Sequence, residues 1–152
     1  MRAIVCRVHI DAPAERIWAT LVDVGRYGSW NPFTPDVHGE IRRDGRVMVR
    51  ARLVAGRLTG MPHVIDAFVP ARQLSWRQAN VPAWLLHAVR HQILEPTGPA
   101  STDVANRFEA SGLLGPVVRL LFGPAIRRGM ESMGQALKKE VEAGTEAQTT
   151  EN

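Results

Sequence analysis

The hydrophobic and polar positions of the chain follow two different periods. Up to residue 110, short alternating or apolar runs are separated by turn residues, a pattern that predicts β-strands. Asp44–Gly45 is a typical hairpin turn, and the connections between the later strands are short, which favours antiparallel pairing. The predicted strands are Ala3–Ile10, Val37–Arg42, Val47–Val54, His63–Val69, Arg72–Gln78, His87–Glu95 and Asp103–Ala110.

The period changes after the last predicted strand. Apolar residues then recur every three or four positions, which predicts a helix over Leu114–Val141 with a stripe wide enough to pack on a sheet. Gly123–Pro124 lies inside this helix, and we expect it to kink or break the helix because proline removes a backbone hydrogen bond. Ala143–Asn152 is small and polar, so we predict a disordered tail there.

The segment Asp11–Phe33, which reads DAPAERIWATLVDVGRYGSWNPF, carries the most specific pattern. It is similar to the segment that follows the first strand in the START-like (SRPBCC) superfamily, which includes polyketide cyclases and lipid-transfer domains. Pro70–Trp76 (PARQLSW) and Ser111–Leu114 (SGLL) resemble two later segments of the same family. The resemblance covers nearly the whole chain, from about residue 3 to residue 142.

This resemblance implies an α+β helix-grip fold. In that fold a curved seven-stranded antiparallel sheet wraps around a long C-terminal helix, and two short helices lie between strands 1 and 2. We expect a single domain over residues 1–142, with a ligand cavity between the sheet and the long helix. The resemblance does not identify the activity, since the superfamily contains many unrelated functions.

Composition and charge narrow the classes of function. The chain has 152 residues, a net charge of +4 and one cysteine, Cys6, so an internal disulfide is excluded. The arginines are scattered, and we therefore expect no nucleic-acid partner. Asp11 and Pro13 interrupt the first apolar run, so we expect no signal peptide. No stretch approaches about 18 apolar residues, so we expect no stable membrane insertion. The single cysteine suits a reducing compartment, and we expect a cytoplasmic location. No metal-ligand or cofactor motif occurs, and we expect neither a metal nor a cofactor.

Strand faces predict which side chains line the cavity. In the sixth strand Arg90 and Gln92 suggest the solvent side, which leaves His87, Val89 and His91 pointing inward. In the third strand the alternating arginines mark the solvent side, and in the seventh strand Arg107 and Glu109 mark it, so the residues between them point inward. The long helix contributes the residues of its apolar stripe. The predicted lining is Trp30, Val49, Leu53, Trp76, His87, Val89, His91, Asn106, Phe108, Phe122, Ile126 and Met130, and the predicted cavity mouth is Leu58, Trp84 and Leu85.

The polar residues of this lining suggest the possible chemistry. His87 and His91 share a strand face but lie roughly 13 Å apart, too far to ligate one metal ion. Each is either a structural histidine or a group that orients a ligand or transfers a proton. Tyr27 could reach the cavity or belong to a structural aromatic cluster. Many relatives have an inward glutamate in the last strand, but Phe108 occupies that position here, which weakens acid catalysis.

Three hypotheses follow from these observations. The favoured one is a non-enzymatic protein, a monomer or weak homodimer, that binds a hydrophobic small molecule such as a lipid, an aromatic or a polyketide-like compound. The alternative is a polyketide cyclase- or dehydratase-like enzyme that uses His87, His91 or Tyr27 as acid or base. The last is an interaction module that docks through the apolar loop around Trp84.

Overall fold

The structure, a computed structural model, describes residues 3–54 and 56–150. The strands are β1 (Ile4–Ile10), β2 (Asp36–Gly39), β3 (Arg46–Val54), β4 (Arg57–Val69), β5 (Gln73–Gln78), β6 (His87–Gly98) and β7 (Ser101–Ser111). The helices are α1 (Ala14–Val22), a short 3-10 helix (Val24–Ser29) and α2 (Gly115–Thr150).

The strands form one antiparallel sheet of seven strands in the order β1-β7-β6-β5-β4-β3-β2. The long helix α2 packs across one face of this curved sheet and contacts β1, β7 and β3, while α1 and the 3-10 helix lie between β1 and β2. The predicted helix-grip fold is therefore confirmed. No helix in the described ranges is long and apolar enough to cross a membrane.

The core lies where the helix meets the sheet. Leu94 and Val104 on the strands and Met130, Met133 and Leu137 on α2 are all buried and belong to one apolar cluster. The helical period places these three α2 residues on one face, as the sequence pattern indicated. Burial of this stripe fixes α2 over the β1–β7–β6 end of the sheet, where β1 and β7 make most of its strand contacts.

Helix α2 contains Pro124 and extends beyond its predicted end at Val141. Of the two effects predicted for Pro124, a break does not occur, since the helix runs past this residue. Pro124 is exposed, so the buried stripe of the helix is intact. The helix also continues past Val141, so the backbone of residues 143–150 is helical where we predicted disorder. Residues such as Ala143 and Ala147 have a high intrinsic helix propensity, which favours this extension.

Candidate functional site

A cavity of about 300 Å³ lies between the sheet and the first half of α2. Strands β3 to β7, the loop before β2 and three turns of the helix all contribute to its wall, which is mostly apolar and aromatic. The lining residues are Phe33, Thr34, Val49, Ala51, Leu53, Thr59, Met61, His63, Trp76, Gln78, Leu86, Arg90, Phe108, Val118, Phe122 and Ile126.

The predicted lining agrees with this wall in part. The structure places these predicted residues on the cavity wall: Val49, Leu53, Trp76, Phe108, Phe122 and Ile126. It places these elsewhere: Trp30, His87, Val89, His91, Asn106 and Met130, together with the predicted mouth residues Leu58, Trp84 and Leu85.

The error in β6 is an inversion of its two faces. Arg90 pairs directly with Trp76 on β5 and with Phe108 on β7, and directly paired residues lie on the same face of a sheet. Arg90 therefore points toward α2, whereas His87, Val89 and His91 point away from it. The polar character of Arg90 predicted a solvent-facing position, whereas its side chain lines the cavity.

On the outer face of the sheet, the ring of His91 contacts side chains of the two neighbouring strands. Its Nδ1 lies 2.7 Å from Ser75 Oγ, and its Nε2 lies 3.6 Å from the Glu109 carboxylate. On the inner face, Gln92 accepts a hydrogen bond of 2.9 Å from Trp76 Nε1 and is almost completely buried. The predicted role of His87 and His91 inside the cavity is therefore wrong.

The other displaced residues are core or surface residues. Trp30 packs edge to face on Tyr27, with 5.1 Å between the ring centroids. Asn106 and Met130 border a separate recess of about 200 Å³ between β1 and α2. Trp84 is 70% exposed, and its carbonyl accepts a hydrogen bond from the Leu113 amide.

The remaining two mouth residues are also outside the wall. Leu58 is 43% exposed near the start of β4. The Leu85 carbonyl accepts a hydrogen bond from the Leu114 amide, which joins this loop to the start of α2. The loop contributes its next residue, Leu86, to the cavity instead.

The turn around Asn31 positions Phe33 in the cavity. Asn31 Oδ1 accepts hydrogen bonds of 3.0 Å from the amides of both Phe33 and Thr34, and Asn31 Nδ2 donates to Thr34 Oγ1. Asparagine favours such turns because its side chain replaces a backbone acceptor. The Phe33 ring packs over Gly129 on α2, where a side chain would overlap it.

Arg90 is the only arginine or lysine on the described cavity wall, which contains no aspartate or glutamate. Its guanidinium carbon lies 5.6 Å from the centroid of the Phe33 ring and 5.8 Å from that of Trp76. Among the residues that the structure describes, none forms a hydrogen bond or an ion pair with this guanidinium. Burial lowers the pKa of Arg90 to about 10, so the side chain is charged at neutral pH.

Tyr27 lies close to Arg90 but is not part of the cavity wall. Its hydroxyl donates a hydrogen bond to the Leu21 carbonyl, and the side chain is completely buried. Burial raises the pKa of Tyr27, so the phenol is neutral. Of the two roles considered from the sequence, the structural one fits these contacts.

His63 is the second titratable group on the wall. Its Nδ1 donates a hydrogen bond of 3.0 Å to the Met61 carbonyl, which leaves Nε2 as an acceptor. Burial lowers the pKa of His63 to about 4, although the Met61 carbonyl partly opposes this. His63 was not among the predicted lining residues, because its direction follows from its pairing with Val47 across β3 and β4, which only the structure shows.

The comparisons with known proteins agree with this architecture. A family model described as polyketide cyclase / dehydrase and lipid transport matches residues 1–142. No curated protein matches the chain in sequence.

Several solved structures share the fold. The Zhui aromatase/cyclase from Streptomyces sp. R1128 is 20% identical, with a TM-score of 0.74 and coverage of 93% of each chain. A START superfamily protein from Mycobacterium smegmatis is 21% identical, with a TM-score of 0.66 and coverage of 93% of this chain and 97% of that one. The di-domain aromatase/cyclase BexL is 22% identical, with a TM-score of 0.73, and the match spans 93% of this chain and 47% of BexL. From the family match over residues 1–142, the chain belongs to the polyketide cyclase / dehydrase and lipid transport family.

Proposed function

We propose that the protein binds a hydrophobic small molecule in the cavity between the sheet and α2. The observation that supports this most directly is the cavity itself, which has a volume of about 300 Å³ and mostly apolar walls. This volume is at the lower end of the range for small-molecule sites. A compact aromatic compound or a short lipid chain fits such a space.

The expected affinity follows from the apolar surface that a ligand would bury. Burying roughly 300 Å² at about 25 cal/mol per Å² gives about 7 kcal/mol. The loss of translational and rotational freedom on association removes part of this. We therefore expect dissociation constants in the micromolar range for simple apolar probes.

The first experiment is native mass spectrometry of the freshly purified protein, followed by extraction and identification of bound compounds. A neutral fluorescent probe such as Nile red then measures uptake by the emptied cavity. Ala51→Phe fills the cavity from β3, and Met48→Phe adds the same ring to the outer face of that strand. We expect the first variant to lose binding and the second to retain it.

Equal binding by both variants would refute the proposed site. Complete failure of the wild-type protein to bind neutral apolar probes would refute the proposed function. The cytoplasmic location and the monomeric or weakly dimeric state remain predictions.

A second candidate is the cyclase- or dehydratase-like enzyme. The observation that favours it is that His63 Nε2, a free acceptor, lines the same wall as the cationic Arg90. A base and a cation on one wall suit proton removal from a β-ketone, with the enolate stabilised by the cation. However, a histidine with a pKa of about 4 is a weak base at neutral pH, so binding remains the preferred proposal.

Hydrogen–deuterium exchange tests the enzymatic proposal without knowledge of the natural substrate. The exchange rate at the central carbon of a linear β-diketone is followed by proton NMR with the wild-type protein and with His63→Asn. Exchange at least ~10-fold faster with the wild type would support general base catalysis, since such groups typically contribute 10²- to 10⁴-fold. Equal rates with both proteins would contradict it.

A further inference from the structure

We propose that the ligand of this cavity carries a carboxylate, which pairs with the Arg90 guanidinium. This inference rests on the proposed binding function and names the class of ligand. The main observation is that the Arg90 guanidinium lies in an apolar cavity and forms no hydrogen bond or ion pair with any of the described residues. A purely apolar ligand could form neither a hydrogen bond nor an ion pair with this guanidinium.

Partial burial of the charge is the first step of the argument, since Arg90 is half-buried and lines the apolar cavity. An isolated cation is costly to remove from water unless an opposite charge or hydrogen-bond acceptors compensate it. Phe33 and Trp76 lie at cation–π distances, but ring faces do not satisfy the N–H groups of a guanidinium. The Arg90 donors are therefore available to a ligand inside the cavity.

The geometry of the partner is the second step. A guanidinium binds a carboxylate through two parallel hydrogen bonds in one plane. The two flanking rings pack against the planar group, so they orient it as well as stabilise it. A single cation matches a single negative charge, which favours a carboxylate over a phosphate dianion.

The surroundings of the cavity have the same sign of charge. A neighbouring recess of about 330 Å³ shares Phe33 and Leu53 with the cavity wall. Arg52 and Arg128 line it, and its described lining contains no carboxylate. Positive potential at the approach to a cavity raises the local concentration of anionic ligands.

The remaining polar groups on the wall support the same orientation. His63 is neutral at pH 7 and offers Nε2 as an acceptor, so it does not compete with Arg90 for the anion. Thr34 Oγ1 already accepts a hydrogen bond from Asn31 Nδ2. The anionic end of the ligand is therefore expected at Arg90. Its apolar body is expected to contact Val118 and the other apolar residues of the wall.

A matched pair of probes tests the inference. Binding of 2-naphthoic acid and of its neutral isostere 2-naphthamide is measured by isothermal titration calorimetry at about pH 8, where the acid is ionised. We expect the wild-type protein to bind the acid roughly 10- to 100-fold more tightly than the amide, since a hydrogen bond to a charged group is stronger than a neutral one. Arg90→Met should abolish this preference, and Arg50→Met, which removes an exposed arginine from β3, should preserve it.

Each outcome separates the two proposals. Equal affinity of the wild-type protein for acid and amide, or an unchanged preference in Arg90→Met, overturns the carboxylate and leaves the binding function intact. Tighter binding of 2-naphthyl phosphate than of 2-naphthoate also overturns it, in favour of a phosphate ligand. Failure of every probe, including Nile red, overturns both proposals. If Arg90→Met does not fold, the ratio of the wild-type affinities for the acid and the amide tests the inference alone. A preference for the acid supports the carboxylate, and equal affinities overturn it.

Discussion

The half-buried His63 makes the stability of this protein depend on pH in a way that can be calculated. Burial lowers its pKa from the ordinary value of 6.5 to about 4 in the folded state. Between these two values the unfolded chain holds a proton at this position and the folded chain does not. The unfolded state therefore gains stability relative to the folded state as the pH falls from about 6.5 toward 4.

The size of the effect follows from linkage. With these two pKa values, the contribution of His63 to the free energy of unfolding decreases by about 2 kcal/mol between pH 7 and pH 5. At about pH 4 the loss reaches roughly 3 kcal/mol, a large part of the stability of a typical domain. Above about pH 7 the contribution of this group is constant.

Urea denaturation at pH 7 and pH 5 measures this loss in the wild-type protein and in His63→Asn. Asparagine does not titrate, and its amide N–H₂ can replace Nδ1 as donor to the Met61 carbonyl. The decrease in unfolding free energy should be about 2 kcal/mol larger in the wild type than in the variant, since other titrating groups are common to both.

Proton NMR of the histidine ring checks the cause directly. The resonance of His63 should titrate with a midpoint near pH 4 in the folded protein. A midpoint above about pH 6, close to the ordinary value, would refute the reasoning. An identical pH dependence of stability in the wild type and the variant would refute it as well.

Two further predictions concern the cavity wall. Trp76→Phe removes the donor to Gln92 Oε1 and leaves a buried acceptor unsatisfied, so the free energy of unfolding in urea should fall by about 2 kcal/mol. Gly129→Ala places a methyl group against the Phe33 ring, so it should reduce stability by roughly 1–3 kcal/mol and weaken Nile red binding, measured by fluorescence titration.

Each of these two variants has a control. Trp84→Phe makes the same chemical change at an exposed position and should change stability by less than about 0.5 kcal/mol. Gly144→Ala adds its methyl group where no atom lies within 4 Å, and it should be neutral or stabilising because alanine favours the helix. A loss of stability in Trp84→Phe equal to that in Trp76→Phe would contradict the role given to the buried hydrogen bond. Likewise, unaltered probe binding by Gly129→Ala would contradict the placement of Phe33 at the cavity.

The order of the strands and helices was readable from local patterns. Alternation, turn residues and the helical stripe each depend on residues close in sequence, and they identified every strand of the sheet. The WNP segment could also be recognised from the sequence, and its asparagine indeed forms the turn that positions Phe33. Local preference also favours the length of α2, since residues such as Ala143 have a high helix propensity and continue the helix beyond Val141.

The composition of the site was decided by contacts between distant strands. Arg90 and Gln92 look like solvent-facing residues when β6 is considered alone. Only the pairing of β6 with β5 and β7 fixes their direction, and only the aromatic rings of Phe33 and Trp76 show why an arginine can lie inside. A strand has two possible faces, and its own sequence distinguishes them only when polarity and burial agree.

The sequence by itself thus determined the strands and the long helix, because both follow from short-range periodicity. The resemblance to a known family implied the helix-grip fold and a cavity under α2. Only the tertiary structure shows that the cavity contains a neutral histidine and a cation with no counter-ion among the described residues. The physical reason is that charge burial is a property of the assembled neighbourhood. The same arginine would be an ordinary surface residue if β6 paired in the other register.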